Sequence, residues 1–437
     1  MDRIVTFLFR DRDKRGHPDL EALEIHIRSS MHAVGGVMLE KLLNSDGGGY
    51  RGRTQPCEKG HVFEFKEYRD KEVLTLLGPV TIRRAYYYDE GCQAGWCPKD
   101  KALDIVGTSL SPGVRRIMGR AGANGPFALG HEDLKEMAGI EVDPKEIERV
   151  SHRLGEEIER YHQRGAALSA RGQIIPLQPN SKMYVCMDGT GVPVVKAETM
   201  NRKGKGEEGQ AKTREAKLGC VFTQTSVSEK GYPVRDEDST SYAGAIEATE
   251  AFGNRIYAEA LGRGLEKAQK VCVIADGSPW IWNIAEEHFY GAVQIIDLYH
   301  AREHYWNVAH AVFGLDQATL DSWADLRRKE LDQGEVEAVI EAIKCLRPRR
   351  KERKEICEKE IGYFEKNKDR MRYDHFRKQG LFVGSGVVEA GCRTVIGQRL
   401  KQSGMFWTVK GANSIIALRC CLLSKRWEDF WEYRACA

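Results

Sequence analysis

Three aspartates each follow directly on a short apolar segment. Asp188 ends MYVCMD, Asp276 ends VCVIAD and Asp297 ends VQIID. Ligands and catalytic groups gather at the carboxyl ends of sheet strands, so acids repeated in this position predict a shared negatively charged site. A hard divalent cation relieves the repulsion between neighbouring carboxylates. The pattern therefore predicts a site for Mg²⁺ or Mn²⁺, although a lone aspartate after a strand is more often a helix cap or a turn residue.

A fourth acid, Glu389, lies in GSGVVEAGCRTVIGQRLKQSGM. Two glycines around Ser385 predict a turn, and the serine is placed to cap the helix that follows. Ile396 and Leu400 continue a helical apolar stripe, so Glu389 falls in the first turns of that helix. From there its carboxylate can approach two strand-end aspartates from the side. Two metal ions about 3.5–4 Å apart could then activate water or a 3′ hydroxyl and stabilise the leaving oxygen of a phosphoryl displacement.

The elements that must position these acids alternate between strand and helix from about residue 181. Three strands, a helix, a strand, a helix, a strand and a helix form the order of a ribonuclease H-like fold, with a mixed five-stranded sheet. The charge-rich, helical stretch 301–378 is longer than one crossover requires and predicts a helical insertion. The strands are predicted at 183–187, 191–196, 217–226, 271–275 and 292–296, and the first two helices at 246–260 and 280–288.

Residues upstream of this core predict smaller elements. Apolar residues recur at helical spacing over 19–43. Residues 57–98 alternate like short strands, and four candidate ligands surround them. Their irregular spacing fits a small zinc-ribbon-like unit with a structural zinc, or equally well unrelated cysteines. The four are Cys57, His61, Cys92 and Cys97.

Helices are predicted from Ser111 to about residue 170. Within them, HEDLKEMAGIEVDPKEIERVSHRLG has the outline of a helix-turn-helix, with a break at Gly139. On its second helix Lys145, Arg149 and Arg153 share one face, which could lie in the major groove of DNA. The alternative is an ordinary amphipathic helix with a solvated basic face.

Composition limits the classes of protein. The 67 Lys and Arg against 64 Asp and Glu leave a net charge of only +3, so overall charge does not indicate a nucleic-acid partner. The twelve cysteines, several inside apolar runs, predict buried thiols in a reducing compartment. No apolar run approaches the ~20 residues of a membrane span, and no secretory signal is recognisable. These features predict a cytoplasmic protein, associated with the nucleoid when it binds DNA.

The motifs MDGTGVPVV, ADGSPWIWNIAEEHF, QIIDLYHAREH and GSGVVEAGCRTVIGQRLKQSGMFWTVKGANSIIALRCC closely resemble transposases of the Kra group of bacterial insertion sequences, distant relatives of Mutator-type enzymes. The resemblance runs from about Thr75 to the end. It implies an Asp-Asp-Glu triad that cleaves DNA at terminal inverted repeats, and hence double-stranded DNA partners at the transposon ends and the target. Because two ends must be brought together, at least a homodimer on DNA is expected.

Carried onto this chain, the resemblance makes Asp188, Asp276 and Glu389 the triad that holds the two metal ions. Asp297 competes for the second place. Asp276 is preferred because the second acid of this fold ends the strand beside the first. His300 could touch the scissile phosphate, or serve as a capping or core residue. Related chains tend to carry a CxxC pair after the tyrosines, whereas Asp89 stands here in place of the first cysteine, which weakens the zinc prediction.

Basic and aromatic residues after Glu389 complete the candidate site. Arg399 and Lys401 could neutralise phosphates, and Trp407, beside Phe406, could stack on an unpaired base. Two alternatives to an active transposase remain: a domesticated DNA-binding relative that does not cut, and a ribonuclease H-like nuclease of repair or recombination. The predicted segments are 1–50 (helical), 51–105 (small β, zinc-ribbon-like), 106–175 (helix-turn-helix-like, DNA-binding), 180–300 (first part of the core), 301–378 (helical insertion) and 379–437 (C-terminal helices of the core).

Overall fold

The computed structural model describes residues 13–14, 17–57, 60–169, 181–200, 202–204, 211–314 and 316–436. The chain divides into two compact units, Met1–Ser151 and His152–Ala437. None of the helices within the described ranges is long and apolar enough to cross a membrane.

The first unit is built on a four-stranded antiparallel sheet, with a long helix against it. Alternating residues such as Val73, Val80 and Ile82 form a small buried core under the helix. The predicted short strands are thus mainly one long hairpin. The strands are β1 (Asp13–Lys14), β2 (His17–Pro18), β3 (Thr54–Pro56), β4 (Val62–Thr75), β5 (Gly78–Asp89) and β6 (Ala94–Trp96); β1 pairs only with β2, and the sheet order of the others is β3-β4-β5-β6.

Capping residues bound two helices of the first unit. The Asp19 carboxylate accepts the N–H of Ala22 at 3.3 Å and starts the long helix. Gly139 ends a later one with a positive φ of 66°, a backbone conformation that favours glycine. The helices are α1 (Leu20–Asn44), α2 (Pro98–Ala102), α3 (Pro112–Asn124), α4 (Phe127–Ala138) and α5 (Pro144–Ser169), the last of which continues into the second unit.

The second unit contains a mixed five-stranded sheet, as predicted, covered by helices. Its order is β11-β8-β7-β12-β13; β8 is antiparallel to both of its neighbours, and β12 is parallel to β7 and β13. The strands are β7 (Lys182–Pro193), β8 (Thr213–Gln224), β11 (Ser241–Ala245), β12 (Lys270–Ala275) and β13 (Val293–Ile296), with β9 (Ser226–Val227) and β10 (Pro233–Val234) as a separate small hairpin.

Two strand predictions were wrong. The segments 183–187 and 191–196 are not separate strands, because β7 runs through the polar stretch between them and pairs with β8 along its whole length. The third strand of the sheet is instead Ser241–Ala245. Its small residues carry little of the β-branched pattern that indicates a strand.

Helices flank the sheet and fill the predicted insertion. They are α6 (Lys196–Thr199), α7 (Thr249–Gly262), α8 (Pro279–His288), α9 (Leu298–Phe313), α10 (Gln317–Asp332), α11 (Val336–Cys345), α12 (Lys351–Asn367) and α13 (Tyr373–Lys378). The C-terminal part contains α14 (Gly386–Gly391), a π-helix over Cys392–Gly397, α15 (Gln398–Leu400), α16 (Val409–Leu423) and α17 (Trp427–Cys436).

Candidate active site

Asp188 and Asp276 lie side by side on neighbouring strands. Strand β12 pairs in parallel with β7, with Ile274 opposite Cys186, so two residues further along each strand these aspartates reach the same level. Neighbouring strands are about 4.8 Å apart. Asp297 follows β13, one strand further from Asp188. The sheet therefore makes Asp276 the immediate neighbour of Asp188.

The carboxyl group of Asp188 is in an environment that disfavours its charge. Burial raises its pKa above the usual value, and the negative charge of Asp276 raises it further. A hydrogen bond from the Cys392 thiol, the Gly189 N–H at 2.7 Å and the charge of His300 act in the opposite direction. A cation placed here would relieve both the burial cost and the repulsion.

The turn that carries Asp276 is fixed from two sides. Its carboxylate accepts hydrogen bonds from the Ser278 N–H at 2.8 Å and the Ser278 hydroxyl at 2.9 Å. Its backbone carbonyl accepts the hydroxyl of Tyr363, from α12, at 3.0 Å. The Tyr363 ring stacks on His304 with 3.5 Å between ring centroids. Tyr363 is a site residue that the sequence did not reveal, because it lies 87 positions from Asp276 inside a regular helix.

Asp297 is fully buried and acts as a connector. Its carboxylate accepts the backbone N–H of His300 at 2.8 Å and so caps α9, and it also accepts the backbone N–H of Ser385. Both oxygens are thus used within the protein. Asp297 thus has the helix-capping role that is the alternative to metal binding for an aspartate at the end of a strand.

Glu389 lies in α14, a short helix that packs against β7 and β8. The side chain is exposed, and the Ser385 hydroxyl donates a hydrogen bond to its Oε1 at 3.1 Å. Cys392, three residues after Glu389, donates a hydrogen bond from its thiol to Asp188. The helical run that carries Glu389 therefore contacts the first acid directly.

The carboxylates of Asp188, Asp276 and Glu389 do not lie within 4.8 Å of one another, since the one such group of three or more ligands among the described residues is elsewhere. Their chemistry fits Mg²⁺ or Mn²⁺, which take carboxylate oxygens and keep water ligands.

His300 lies close to this group of acids. Partial burial disfavours its charged form, but a hydrogen bond with Glu303 at 3.0 Å and the charges of Asp276 and Asp297 raise the pKa of His300 above its usual value. A protonated imidazole here can donate to a phosphate or a leaving oxygen.

Two of the predicted DNA contacts are buried. Arg399 is fully buried, its guanidinium is 4.9 Å from the Trp407 ring centroid, and burial lowers its pKa to about 10. Trp407 is 8% exposed and donates its indole N–H to Leu400 at 3.2 Å. Neither side chain can reach DNA in this conformation. By contrast, Phe406 is 66% exposed, and Lys401 is exposed with its ammonium at the Thr190 hydroxyl, two residues after Asp188.

Hydrogen bonds from Arg419 hold the π-helix between α14 and α15 in place. The buried Arg419 guanidinium donates to the backbone carbonyl of Val395 at 2.8 Å and to that of Thr394. Both carbonyls belong to the π-helix, a form often found at functional sites. Arg419 therefore supports the backbone that follows Glu389.

The three basic residues predicted on α5 are exposed, but each has an acidic neighbour. Lys145 pairs with Glu148 at 2.9 Å and Arg149 with Glu146 at 3.0 Å. Arg153 pairs with Glu157 at 3.4 Å. This face carries mixed charge.

A cavity of about 450 Å³ lies beside strand β8 and the segment that follows β11. Four cations and two acids contribute to its walls. They are Arg202, Lys203, Arg214, Lys217, Glu215 and Glu247.

A possible metal centre is present in the first unit. Cys57, His61, Asp89 and Cys92 each offer a ligand atom within 4.8 Å of the others. The sulfurs of Cys57 and Cys92 are 3.4 Å apart, and His61 Nδ1 is 3.1 Å from the Cys92 sulfur. Asp89 Oδ2 is buried with no hydrogen-bond partner, as expected of an atom oriented towards a cation. This group could bind a metal.

The fourth ligand differs from the predicted one. Cys97 is buried at the start of α2 and is outside the group, and Asp89 takes its place. The antiparallel pairing of β5 with β6 explains the difference, because Asp89 ends β5 next to Cys92 while Cys97 lies beyond β6. The feature of the sequence that could have revealed this ligand is Asp89 itself, which stands at the position where a cysteine was expected.

No protein-family model and no curated protein matches the chain.

Proposed function

We propose that the chain is a DNA transposase that binds terminal inverted repeats and catalyses metal-dependent strand cleavage and strand transfer. One observation carries the proposal: Asp188 and Asp276 are adjacent on parallel strands, and Cys392, at the start of the π-helix that follows the helix of Glu389, donates a hydrogen bond to Asp188. The order of strands and helices, with the first strand in the middle of a mixed sheet, supports a ribonuclease H-like core.

In this proposal, Asp188, Asp276 and Glu389 hold two Mg²⁺ or Mn²⁺ ions. When bound, the ions would supply an activated oxygen nucleophile and stabilise the leaving oxygen. Asp188 and Asp276 fix one side of the site from rigid strands, and Glu389 approaches from the helix. His300, protonated beside Glu303, donates to the phosphate or to the departing oxygen.

The cavity beside β8, with its four cationic side chains, supports a path for the DNA backbone. Lys217 and Arg214 line it on the strand that pairs with the Asp188 strand. Phosphate contacts of this kind position the substrate and make binding sensitive to salt. The exposed Phe406 replaces Trp407 as the side chain able to stack on an unpaired base.

We further propose that the four-ligand group of the first unit holds a structural Zn²⁺. Two cysteines with a histidine and an aspartate suit a tetrahedral zinc, and the two sulfurs are 3.4 Å apart. The ion would stabilise the unit and take no part in cleavage.

A labelled duplex carrying the inverted repeat that flanks the gene tests the main proposal. The wild-type chain with Mg²⁺ or Mn²⁺ should nick the repeat boundary, whereas Asp188→Asn and Glu389→Gln should bind the duplex without cutting it. Glu250→Gln, which changes an exposed carboxylate on α7 outside the triad, is the matched control and should retain cleavage.

A second candidate function is DNA binding without cleavage. The separation of the three carboxylates, which do not lie within 4.8 Å of one another, favours it. Wild-type protein that binds the repeat but cuts with neither metal would establish this function and reject the nuclease.

A further inference from the structure

Helix α1 has a row of large apolar side chains that face solvent. We call it the α1 seam; its six members are between 46% and 70% exposed. They recur at spacings of three, four and seven residues, as in one face of a coiled-coil helix. They are Leu20, Ile27, Met31, Val34, Met38 and Leu42.

The opposite face of α1 already packs on the first unit. Leu39 and Leu43 lie against its small core, and Gly36 is buried. Glu40 accepts the Thr81 N–H at 2.7 Å, and Asn44 accepts the Arg83 N–H at 2.8 Å, both on β5. The helix is thus fixed by one apolar face while the second faces outward. A helix that is apolar on both faces is normally buried on both.

The charges at the two ends of the seam indicate what covers it. Met31 and Val34 are at the centre, and Ile27 and Met38 stand four residues outside them. Three residues further out, on the same face, are the exposed Glu24 at one end and the exposed Lys41 at the other. The pattern is thus symmetric in position and opposite in charge.

We infer that the α1 seam is a dimer interface in which α1 packs antiparallel against α1 of a second copy of the chain. Met31 then lies against Val34 of the second copy, Ile27 against Met38, and Glu24 against Lys41. Each contact occurs twice, as a two-fold axis requires. A parallel pair would instead bring Glu24 to Glu24 and Lys41 to Lys41, and like charges at such positions select against that orientation.

This inference goes beyond the proposed function and is independent of it, because association involves no residue of the acid site. It is tested on the full-length chain without DNA by sedimentation equilibrium. The wild type should approach twice the monomer mass of 49.4 kDa as concentration rises. Met31→Glu should give a monomer, while Ser29→Glu, on an exposed residue of α1 outside the seam, should remain a dimer.

Charge reversal tests the orientation. Glu24→Lys alone and Lys41→Glu alone should each raise the dissociation constant by about tenfold, and the combined reversal should restore it. Circular dichroism and the melting temperature report whether each variant folds.

Cross-linking gives a second measurement that does not rely on a destabilising variant. With Cys345 and Cys436 replaced by serine, an Ile27→Cys chain mixed with a Met38→Cys chain should form a disulfide-linked pair under mild oxidation by oxidised glutathione. Neither chain alone should do so. A folded wild type that stays monomeric, a dimer that survives Met31→Glu, or single reversals that the double reversal does not rescue would each overturn the inference.

Discussion

The buried carboxylate of Asp297 accepts the backbone N–H of Ser385, whose hydroxyl donates to Glu389 at 3.1 Å. The third strand-end acid is therefore linked to the proposed third ligand through one serine. Asp297 supports the site from behind, whereas Asp276 faces Asp188 across neighbouring strands. The two acids that compete for the second place in the triad thus differ in what their removal should do.

Replacement of each by asparagine should separate the two roles. Asp276→Asn should abolish metal-dependent cleavage and leave the free energy of unfolding nearly unchanged, because among the described residues its carboxylate bonds to Ser278, two positions further along the chain. Asp297→Asn should lower the free energy of unfolding by about 1–3 kcal/mol, because an amide NH₂ would replace one of two buried acceptors. Urea denaturation and the cleavage assay measure these effects. A stable Asp297→Asn protein without activity would instead favour Asp297 as the second acid.

Tyr363 should matter through its hydroxyl alone. Tyr363→Phe keeps the stack on His304 but removes the hydrogen bond to the Asp276 carbonyl. We expect a loss of about 0.5–1.5 kcal/mol in the free energy of unfolding and a lower cleavage rate at unchanged DNA affinity. Tyr290→Phe is the control, since Tyr290 is fully solvent-facing. Equal effects of the two variants would remove Tyr363 from the site.

The pKa of Asp188 predicts how stability depends on pH. Because this pKa is raised in the folded chain, the native state holds its proton more tightly than the unfolded state. The resulting penalty is absent below the ordinary value of 3.8 and grows as pH rises through the raised value. Asp188→Asn should therefore melt above wild type at pH 7, and the difference should vanish as pH falls towards 3.8. Mg²⁺ should raise the melting temperature of wild type only.

Calorimetry at several pH values, with and without Mg²⁺, measures this prediction. A variant that melts below wild type at pH 7 would show that the Asp188 carboxylate is held mainly by stabilising contacts.

The metal centre of the first unit can be tested by its fourth ligand. Elemental analysis of the purified chain should find about one zinc, and Asp89→Asn should lower the zinc content and the melting temperature. Cys97→Ser should keep its zinc, because Cys97 lies outside the ligand group. Zinc lost on Cys97→Ser but kept on Asp89→Asn would restore the ligand set predicted from the sequence.

The adjacent aromatics Phe406 and Trp407 should have different roles. Phe406→Ala should weaken binding to duplexes with an unpaired end, by about 1–3 kcal/mol if a base stacks there, with little change in stability. Trp407→Ala should lower the free energy of unfolding by about 3–5 kcal/mol, because the indole is buried against Arg399. Fluorescence anisotropy and urea denaturation report the two effects; unchanged binding by Phe406→Ala would exclude the stack.

The sequence predicted best where a local pattern decides structure. Strands β12 and β13 were placed correctly because each is a short apolar run closed by an acid, and α7 and α8 because their apolar residues recur at helical spacing. The pattern failed at β11, whose residues SYAGA are small.

The site was predictable only in part, for a related reason. Residue type and strand end suggested the acids, but partners came from distant segments. Tyr363 reaches Asp276 from the helical insertion, and the Arg399–Trp407 pair is buried although arginine is usually exposed. The spacing of residues within one segment cannot predict contacts with segments that are distant in the sequence.

The π-helix that follows Glu389 also limits which mutations the protein can tolerate in this segment. A π-turn holds one residue more than an α-turn, and in an α-helix each residue advances the rotation by about 100°. Deleting one residue within Cys392–Gly397 would keep the composition and the apolar run but turn Glu389 away from the strands that carry the aspartates. Substitutions in this segment should therefore be far better tolerated than changes in its length. The orientation of Glu389 depends on the number of residues in the segment more than on which residues they are.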